Sequence, residues 1–198
     1  MRLLVIGAAG RTGRHVLTQG VRRGHEITAF ARRPEAVKDV TGLRDVVRGD
    51  ATDADALRTA LPGQDAVICA VGGSGIALAL IEAMPETGVR RLVMTSSRSI
   101  VATRPRLVVA LAWLAFRAPY ADLSRAEGML QASDLDWSIV RGTMLNDKPP
   151  AGGTHIDFEN DATGGGWQLT RADYATALLD VAENPELIGR SLGVGGPK

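Results

Sequence analysis

Apolar positions along this chain alternate between two periods. Short, nearly continuous apolar runs occur at Arg2 to Ile6 (RLLVI), Glu26 to Ala31 (EITAFA), Leu43 to Val47 and Asp65 to Val71 (DAVICAV). Further runs follow at Arg91 to Met94, Trp137 to Val140 and Ser191 to Val194. Their length and β-branched content predict strands. Between them lie segments of helical character: Arg14 to Arg23, closed by Gly24, then Pro34 to Asp39 and Ala54 to Leu61. Asp53 is placed to cap the last of these, and Pro62-Gly63 breaks it. Ile76 to Glu86 predicts a helix interrupted by Pro85, and Pro105 to Ala115 a mostly apolar one. Tyr120 to Ser133 sets Leu123, Ala126, Glu127 and Leu130 at helical spacing, and Arg171 to Asn184 predicts the last helix. Residues 147 to 170 carry two glycine clusters and predict an irregular excursion with one hairpin.

Apolar runs without polar alternation belong to strands covered on both faces, as in parallel sheets. Strands alternating with helices imply right-handed crossovers. The expected fold class is therefore α/β: a doubly wound, mostly parallel, Rossmann-like sheet. All 198 residues are expected to form one domain, with any substrate region built from the C-terminal part. No internal repeat or domain linker is evident.

The first β-α-β unit carries the densest signal. Strand Arg2 to Ile6 runs at once into Gly7-Ala8-Ala9-Gly10-Arg11-Thr12-Gly13, and a helix opens from that turn. Glycines at this spacing allow a tight turn and a close approach of backbone N–H groups to a diphosphate. The helix that follows would direct its positive end at the anion. Position after a strand and before a helix is the context that gives such a motif meaning.

Composition excludes several classes. Hydrophobic residues make up 45% of the chain and charged ones 23%, enough for a buried core. A formal net charge of +1 leaves no basic excess for nucleic acid. Cys69 is the only cysteine, so no disulfide forms within the chain, which fits a reducing, cytoplasmic setting. The first strand begins at the N-terminus, and no cleavable signal is expected before it. The longest apolar run, Leu107 to Phe116, is too short to span a bilayer, so no membrane partner is expected. That run could line a cleft or form the face of a homodimer.

A dinucleotide fold usually carries Asp or Glu after its second strand, bonded to the adenosine ribose. Here Arg32 and Arg33 occupy that place. Guanidinium groups attract a 2′-phosphate, and Arg11 in the glycine turn could reach it too, so NADP is favoured over NAD. A solvated turn would also carry such a pair. Asp50, after the third strand, is placed to accept a bond from the adenine amino group, or to serve as a plain turn residue. Ala70 to Gly73, after the fourth strand, are small enough to let adenosine and ribose pass.

Candidates for chemistry are few. His15 and His25 read as structural, His155 lies in the late excursion, and Cys69 reads as a core thiol. No grouping has metal-ligand spacing. Ser96 and Ser97 follow the fifth strand, where the nicotinamide end belongs. No His-Asp pair accompanies them, so a hydroxyl that orients the nicotinamide or the substrate fits better than a nucleophile.

Together these motifs resemble an atypical short-chain dehydrogenase/reductase of the NAD(P)-binding, NmrA-like kind, near the biliverdin reductase B/flavin reductase branch. The resemblance rests on GAAGRTG at 7–13, FARRPE at 30–35, GDATD at 49–53, GQDAVICAVG at 63–72, VMTSS at 93–97 and SDLDWSIVRG at 133–142. It implies that Gly7, Gly10, Thr12 and Gly13 bind diphosphate and Arg32 the 2′-phosphate. It also implies Asp50 and Ala51 beside adenine, Val71 and Gly72 beside ribose, and Ser96 beside nicotinamide.

Three departures stand out. The Tyr-x-x-x-Lys pair of ordinary short-chain dehydrogenases is absent: Tyr120 is followed four places on by Ser124, and the lysines are Lys38, Lys148 and Lys198. The segment from Gly72 to Val93 is roughly ten residues shorter than in the relatives. The family's Arg-Pro after the sixth strand is Arg141-Gly142, which implies a freer backbone at Gly142-Thr143-Met144 facing substrate. The expected activity is an NADPH-dependent reduction of a planar small-molecule acceptor such as a flavin, a tetrapyrrole or a quinone. Its walls would be Ser96, Ser97, the Pro105 to Tyr120 segment and Thr143 to Leu145. A non-catalytic NADP(H)-sensing regulator is the alternative, and a nucleotide-sugar epimerase a weaker third.

Overall fold

The structure is a computed structural model that describes residues 1–102, 106–157 and 166–197. Its strands are β1 (Arg2–Ile6), β2 (Glu26–Ala31), β3 (Asp45–Arg48), β4 (Ala66–Cys69), β5 (Arg91–Ser97) and β6 (Asp136–Gly142). Short strands β7 (Met144–Asn146), β8 (His155–Asp157) and β9 (Gln168–Thr170) precede the last, β10 (Arg190–Gly195). The helices are α1 (Arg11–Arg22), α2 (Ala54–Ala60), α3 (Ser74–Thr87), α4 (Arg106–Ala115), α5 (Arg117–Gln131) and α6 (Arg171–Glu183). Eight strands form one sheet in the order β3-β2-β1-β4-β5-β6-β10-β8. All its pairings are parallel except that of β8, which runs antiparallel on β10 at the edge. The expected doubly wound, mostly parallel sheet is the one observed.

The two-residue period of each strand divides the core into two layers. Leu3 and Val5 of β1 point toward α1 and α6, where Val16, Leu17, Leu178 and Leu179 are buried. Leu4 and Ile6 point the other way, with Leu57 of α2, Leu80 and Met84 of α3 and Leu130 of α5. Helix α6 is buried around nearly its whole circumference, from Ala172 to Ala182. Among the described residues no helix is long and apolar enough to cross a membrane.

Element boundaries differ from the sequence expectation for local reasons. Helix α1 starts at Arg11, not Arg14, because Gly10 serves as its N-terminal cap. Pro34–Val37 is a single 3-10 turn, not a helix to Asp39. Pro85 does not interrupt α3, which continues to Thr87 and ends on Gly88 in the left-handed region (φ 75°). A proline in the last turn forfeits one hydrogen bond, and the apolar face of the helix keeps its packing. Strands β5 and β6 run on to Ser97 and Gly142, each three or two residues beyond the expected ends. Expected helix start Pro105 lies outside the described residues.

The 147–170 excursion shows no hairpin in its described part; residues 158–165 lie outside it. Its strands pair with distant ones: β8 with β10, and β9 in parallel with β7. Local composition carries no sign of such pairings, because both are set by where α6 and β10 return to the sheet.

Tyr174 of α6 lies fully buried beneath the ends of β5 and β6. Its hydroxyl donates to the Val140 carbonyl at 2.6 Å and bonds the Thr95 hydroxyl. Burial pushes the phenol well above its ordinary range. Tyr174→Phe keeps the ring and leaves the Val140 carbonyl and the Thr95 hydroxyl without this partner. The expected cost is about 1–3 kcal/mol, read as a lower urea midpoint at unchanged m-value. An unchanged midpoint would show that water replaces the hydroxyl without loss.

Candidate functional site

The carboxyl ends of β1, β2, β3 and β4 enclose a cavity of about 630 Å³. It lies at the sheet edge where an open α/β fold binds its ligand, beside the switch in strand order at β1. Gly7, Ala9, Gly10, Arg11 and Thr12 form one wall. Phe30, Ala31, Arg32 and Arg33 from the end of β2, and Gly49 to Thr52 from the end of β3, form the second. Ala70, Val71, Ile76, Leu145 and Arg171 complete it.

The glycine turn is shaped by two close approaches. Gly7 has φ +74°, and a Cβ there would lie 2.9 Å from Val71 Cγ1. Its carbonyl accepts the Gly10 N–H at 2.9 Å, closing the turn. At Gly13 a Cβ would fall 2.2 Å from the Gly7 carbonyl oxygen, so only glycine lets α1 pass this close to the turn. Gly13 is buried and does not line the cavity. Gly10 does, and a Cβ there would meet only the Gly7 oxygen, at 3.1 Å. Helix α1 opens with no side-chain cap and no acidic residue in its first turn. Its N-terminal N–H groups therefore keep their positive potential for a ligand.

Arg32 and Arg33 are both exposed on the cavity rim, with no carboxylate in the place that usually selects a free ribose hydroxyl. Asp50 turns one oxygen, Oδ1, onto the Thr52 N–H (3.0 Å) and hydroxyl (2.9 Å). These bonds, and the charge of Arg32, hold its carboxyl below the usual range. Ala51 lines the same wall. Val71 lines the cavity as expected, but Gly72 does not. A Cβ at Gly72 would fall 2.2 Å from Leu123 Cδ2 and 3.0 Å from the Thr95 carbonyl, so Gly72 is the seat on which α5 packs.

The ends of β5 and β6 lie side by side, Ser96 opposite Arg141 and Ser97 opposite Gly142. Ser96 does not line the cavity; its hydroxyl is buried and, like that of Thr143, has no hydrogen-bond partner among the described residues. Ser97 Oγ accepts the Ser99 N–H. The freer backbone expected at Gly142 is not found. Gly142 is the last residue of β6, and the Thr143 N–H donates to the Val194 carbonyl at 3.1 Å. A Cβ there would stand 3.1 Å from the Tyr174 ring, a tight approach that glycine relieves. Arg141 is buried in a two-bond ion pair with Glu127 (3.0 and 2.6 Å).

Tyr120 stacks edge-on against Trp113 (5.5 Å) and beside Phe116 (5.8 Å). Trp113 in turn donates to the Ser99 carbonyl. Helix α4 leaves Leu107, Leu111 and Leu114 exposed. Cys69 is buried with its thiol on the Val71 carbonyl, and burial pushes it up to about 12, so it is no nucleophile. His25 bridges Glu183 and the chain terminus, a structural role.

Phe30, Ile76 and Arg171 line the cavity without having been expected there, and Leu145, expected as a wall for the acceptor, lines it too. Phe30 and Ile76 each adjoin a motif that pointed at the site. Leu145 lies in β7 and Arg171 opens α6 directly after β9, and no local pattern announces the β7-β9 pairing that places them.

A family model described as NAD(P)H-binding matches residues 7–185. A 3 beta-hydroxysteroid dehydrogenase of Mycobacterium tuberculosis is 33% identical over 121 residues, half of this chain and 32% of the relative. The chain thus spans about a third of the length of that relative. A short-chain dehydrogenase/reductase from Veillonella parvula, solved in complex with NADP, superposes with a TM-score of 0.87 at 20% identity, covering 99% of this chain and 94% of that one. ChuY, an anaerobillin reductase from Escherichia coli, gives 0.85 at 23% identity, covering 100% and 98%. The two structures share the fold.

The different surroundings of Gly10 and Gly13 lead to opposite expectations. Gly10→Val adds bulk at the cavity wall against a single neighbour, the Gly7 oxygen at 3.1 Å, so it should abolish dinucleotide binding while melting closer to wild type than Gly13→Ala. Gly13→Ala meets backbone at 2.2 Å and should melt markedly lower. Calorimetry and thermal melts of both variants read this. Normal binding by a folded Gly10→Val variant would place the diphosphate elsewhere.

Proposed function

We infer the activity from one premise: the chain belongs to the NAD(P)H-binding family, whose model spans residues 7–185. We propose that it is an oxidoreductase that uses NADPH in preference to NADH and reduces a planar, conjugated acceptor of the flavin, tetrapyrrole or quinone class. The observation that carries the cofactor preference is the pair Arg32 and Arg33 on the rim of the cavity that the glycine turn opens into. A dinucleotide fits the residues present. Gly7, Gly10, Arg11 and Thr12 would hold the diphosphate, Asp50, Ala51 and Val71 the adenosine, and Arg32 and Arg33 the 2′-phosphate.

When bound, the nicotinamide supplies hydride. The protein's part is to position it, exclude water and leave a face open to the acceptor. Neither tyrosine is equipped to deliver a proton. Tyr174 is buried on backbone and raised far above its ordinary range, and Tyr120 has no lysine four residues on. This supports an acceptor that takes hydride first and a proton from water afterwards. The same lack counts against alcohol-ketone chemistry of the kind named for the mycobacterial relative. ChuY, named an anaerobillin reductase, has the same frame. The orphaned Ser96 hydroxyl is a donor held ready at the end of β5, where we place the nicotinamide.

Calorimetry should find NADPH bound at least about tenfold more tightly than NADH, ~1.4 kcal/mol. Both arginines are exposed, so the gap should shrink with salt. Arg32→Ala should erase most of it and spare NADH. Equal affinities in the wild-type protein would refute the preference.

The acceptor class is tested by following NADPH absorbance with flavins, quinones and biliverdin. Ser96→Ala should lower turnover ~10–100-fold through lost positioning, and Tyr120→Phe should change it little. Abolition by Tyr120→Phe would restore a tyrosine acid. Tight NADPH binding with no acceptor reduced above the uncatalysed rate would favour a non-catalytic sensor of NADP(H).

A further inference from the structure

Three charged residues meet over the glycine turn. Arg11 opens α1, Asp147 follows β7, and Arg171 opens α6 directly after β9. Parallel pairing sets Asn146 opposite Thr170, which brings the next residues, Asp147 and Arg171, side by side. Asp147 Oδ1 accepts a bond from Arg171 Nη1 at 2.7 Å, and its Oδ2 accepts one from Arg11 Nη1 at 2.9 Å. One carboxylate thus holds two guanidinium groups, both of which line the cavity beside Gly10 and Thr12.

The three side chains are unequally solvated. Arg11 is 71% exposed and Asp147 56%, but Arg171 only 12%. An ion pair as exposed as Arg11–Asp147 contributes little and is easily exchanged. A cation as covered as Arg171 needs an anion near it. Asp147 supplies a single negative charge. A diphosphate supplies two, in a geometry that guanidinium groups can grip with paired hydrogen bonds. It would also meet the uncapped N-terminus of α1, which Asp147 does not cap. The other carboxylate nearby, Asp173, is already committed to the Thr170 hydroxyl and the Ala151 N–H.

We propose that Arg171 is a further residue for binding the diphosphate, and that Asp147 is a resident stand-in anion displaced when the dinucleotide enters. On binding, Arg11 and Arg171 pass from Asp147 to the phosphates, and the Asp147 carboxylate is released to water. The proposal rests on the cofactor reading above and adds to it a cost: the protein opposes its own ligand with one internal charge. Because β7 and β9 carry both partners, the exchange also couples cofactor entry to the C-terminal part of the chain.

A sign change distinguishes this from a static brace. The wild type, Asp147→Asn and Arg171→Gln are titrated calorimetrically with NADPH, NADH and ADP-ribose at low and high salt. A displaced competitor predicts that Asp147→Asn binds all three ligands about 3–10-fold more tightly, with a steeper loss of affinity as salt rises. Arg171→Gln should weaken all three by a common factor of about ten, because a diphosphate contact is shared by all. A misfolded variant cannot gain affinity, so the Asp147→Asn arm stands whatever Arg171→Gln does to folding. Unchanged or weaker binding by Asp147→Asn would overturn the stand-in, leaving Asp147 as a brace. Unchanged binding by Arg171→Gln would overturn its contact with the diphosphate, and a loss confined to NADPH would move it to the 2′-phosphate. Wild-type protein that binds none of the three would overturn the cofactor reading itself.

Discussion

The contact on which the site depends is that between Gly13 and the Gly7 carbonyl. A methyl group placed on Gly13 would sit 2.2 Å from that oxygen, well inside any allowed separation. Because Gly13 has none, α1 lies directly behind the β1 turn, and its open N-terminus faces the cavity at the sheet's carboxyl edge. Displacing the helix by the width of one side chain would move Gly10, Arg11 and Thr12 together. It would also loosen the layer in which Val16 and Leu17 meet α6. The same close approach therefore serves packing and ligand geometry.

Much of this was legible in order of locality. Strands announced themselves by unbroken apolar runs, since the sheet is covered on both faces and needs no polar alternation. The glycine turn was legible because its function is local: a strand, a tight turn and a helix within some dozen residues. Arg32, Arg33 and Asp50 followed from counting strand ends. The sequence said nothing of the packing that two of its glycines serve. Gly72 seats Leu123 and Gly142 admits the Tyr174 ring, and each partner lies more than thirty residues away. Arg171 was invisible for the same reason. Its place at the cavity comes from a three-residue parallel pairing, β7 with β9, formed across a long excursion.

Charge is distributed in the cavity with a consistent sense. Arginines stand at the rim of β2, in the glycine turn and at the start of α6, while the carboxylates nearby are spent on internal bonds. Asp50 uses one oxygen on its own turn. Asp147 uses both on arginines. What is left for a ligand is a surplus of donors, which suits an anion with several phosphates better than a neutral molecule. The overall charge of +1 conceals this, because surface carboxylates elsewhere balance it. Net charge speaks to solubility and non-specific partners, and the local sign of a cleft must be read residue by residue.

The neighbouring ends of β5 and β6 are organised differently. Around the ends of β5 and β6 the polar groups are committed to holding backbone in place. Tyr174 bonds Val140 and Thr95, Arg141 is locked to Glu127, and Ser97 caps its own turn. Burial raises the Tyr174 phenol well above its ordinary range. Only the hydroxyls of Ser96 and Thr143 lack partners among the described residues. A buried hydroxyl without a partner costs about 1–3 kcal/mol, which a fold retains most readily where a ligand or water completes the bond. A rigid frame with one or two waiting hydroxyls can orient two planar rings. This geometry is why the acceptor we propose is one whose conjugation spreads the incoming charge, so that protonation can wait for solvent.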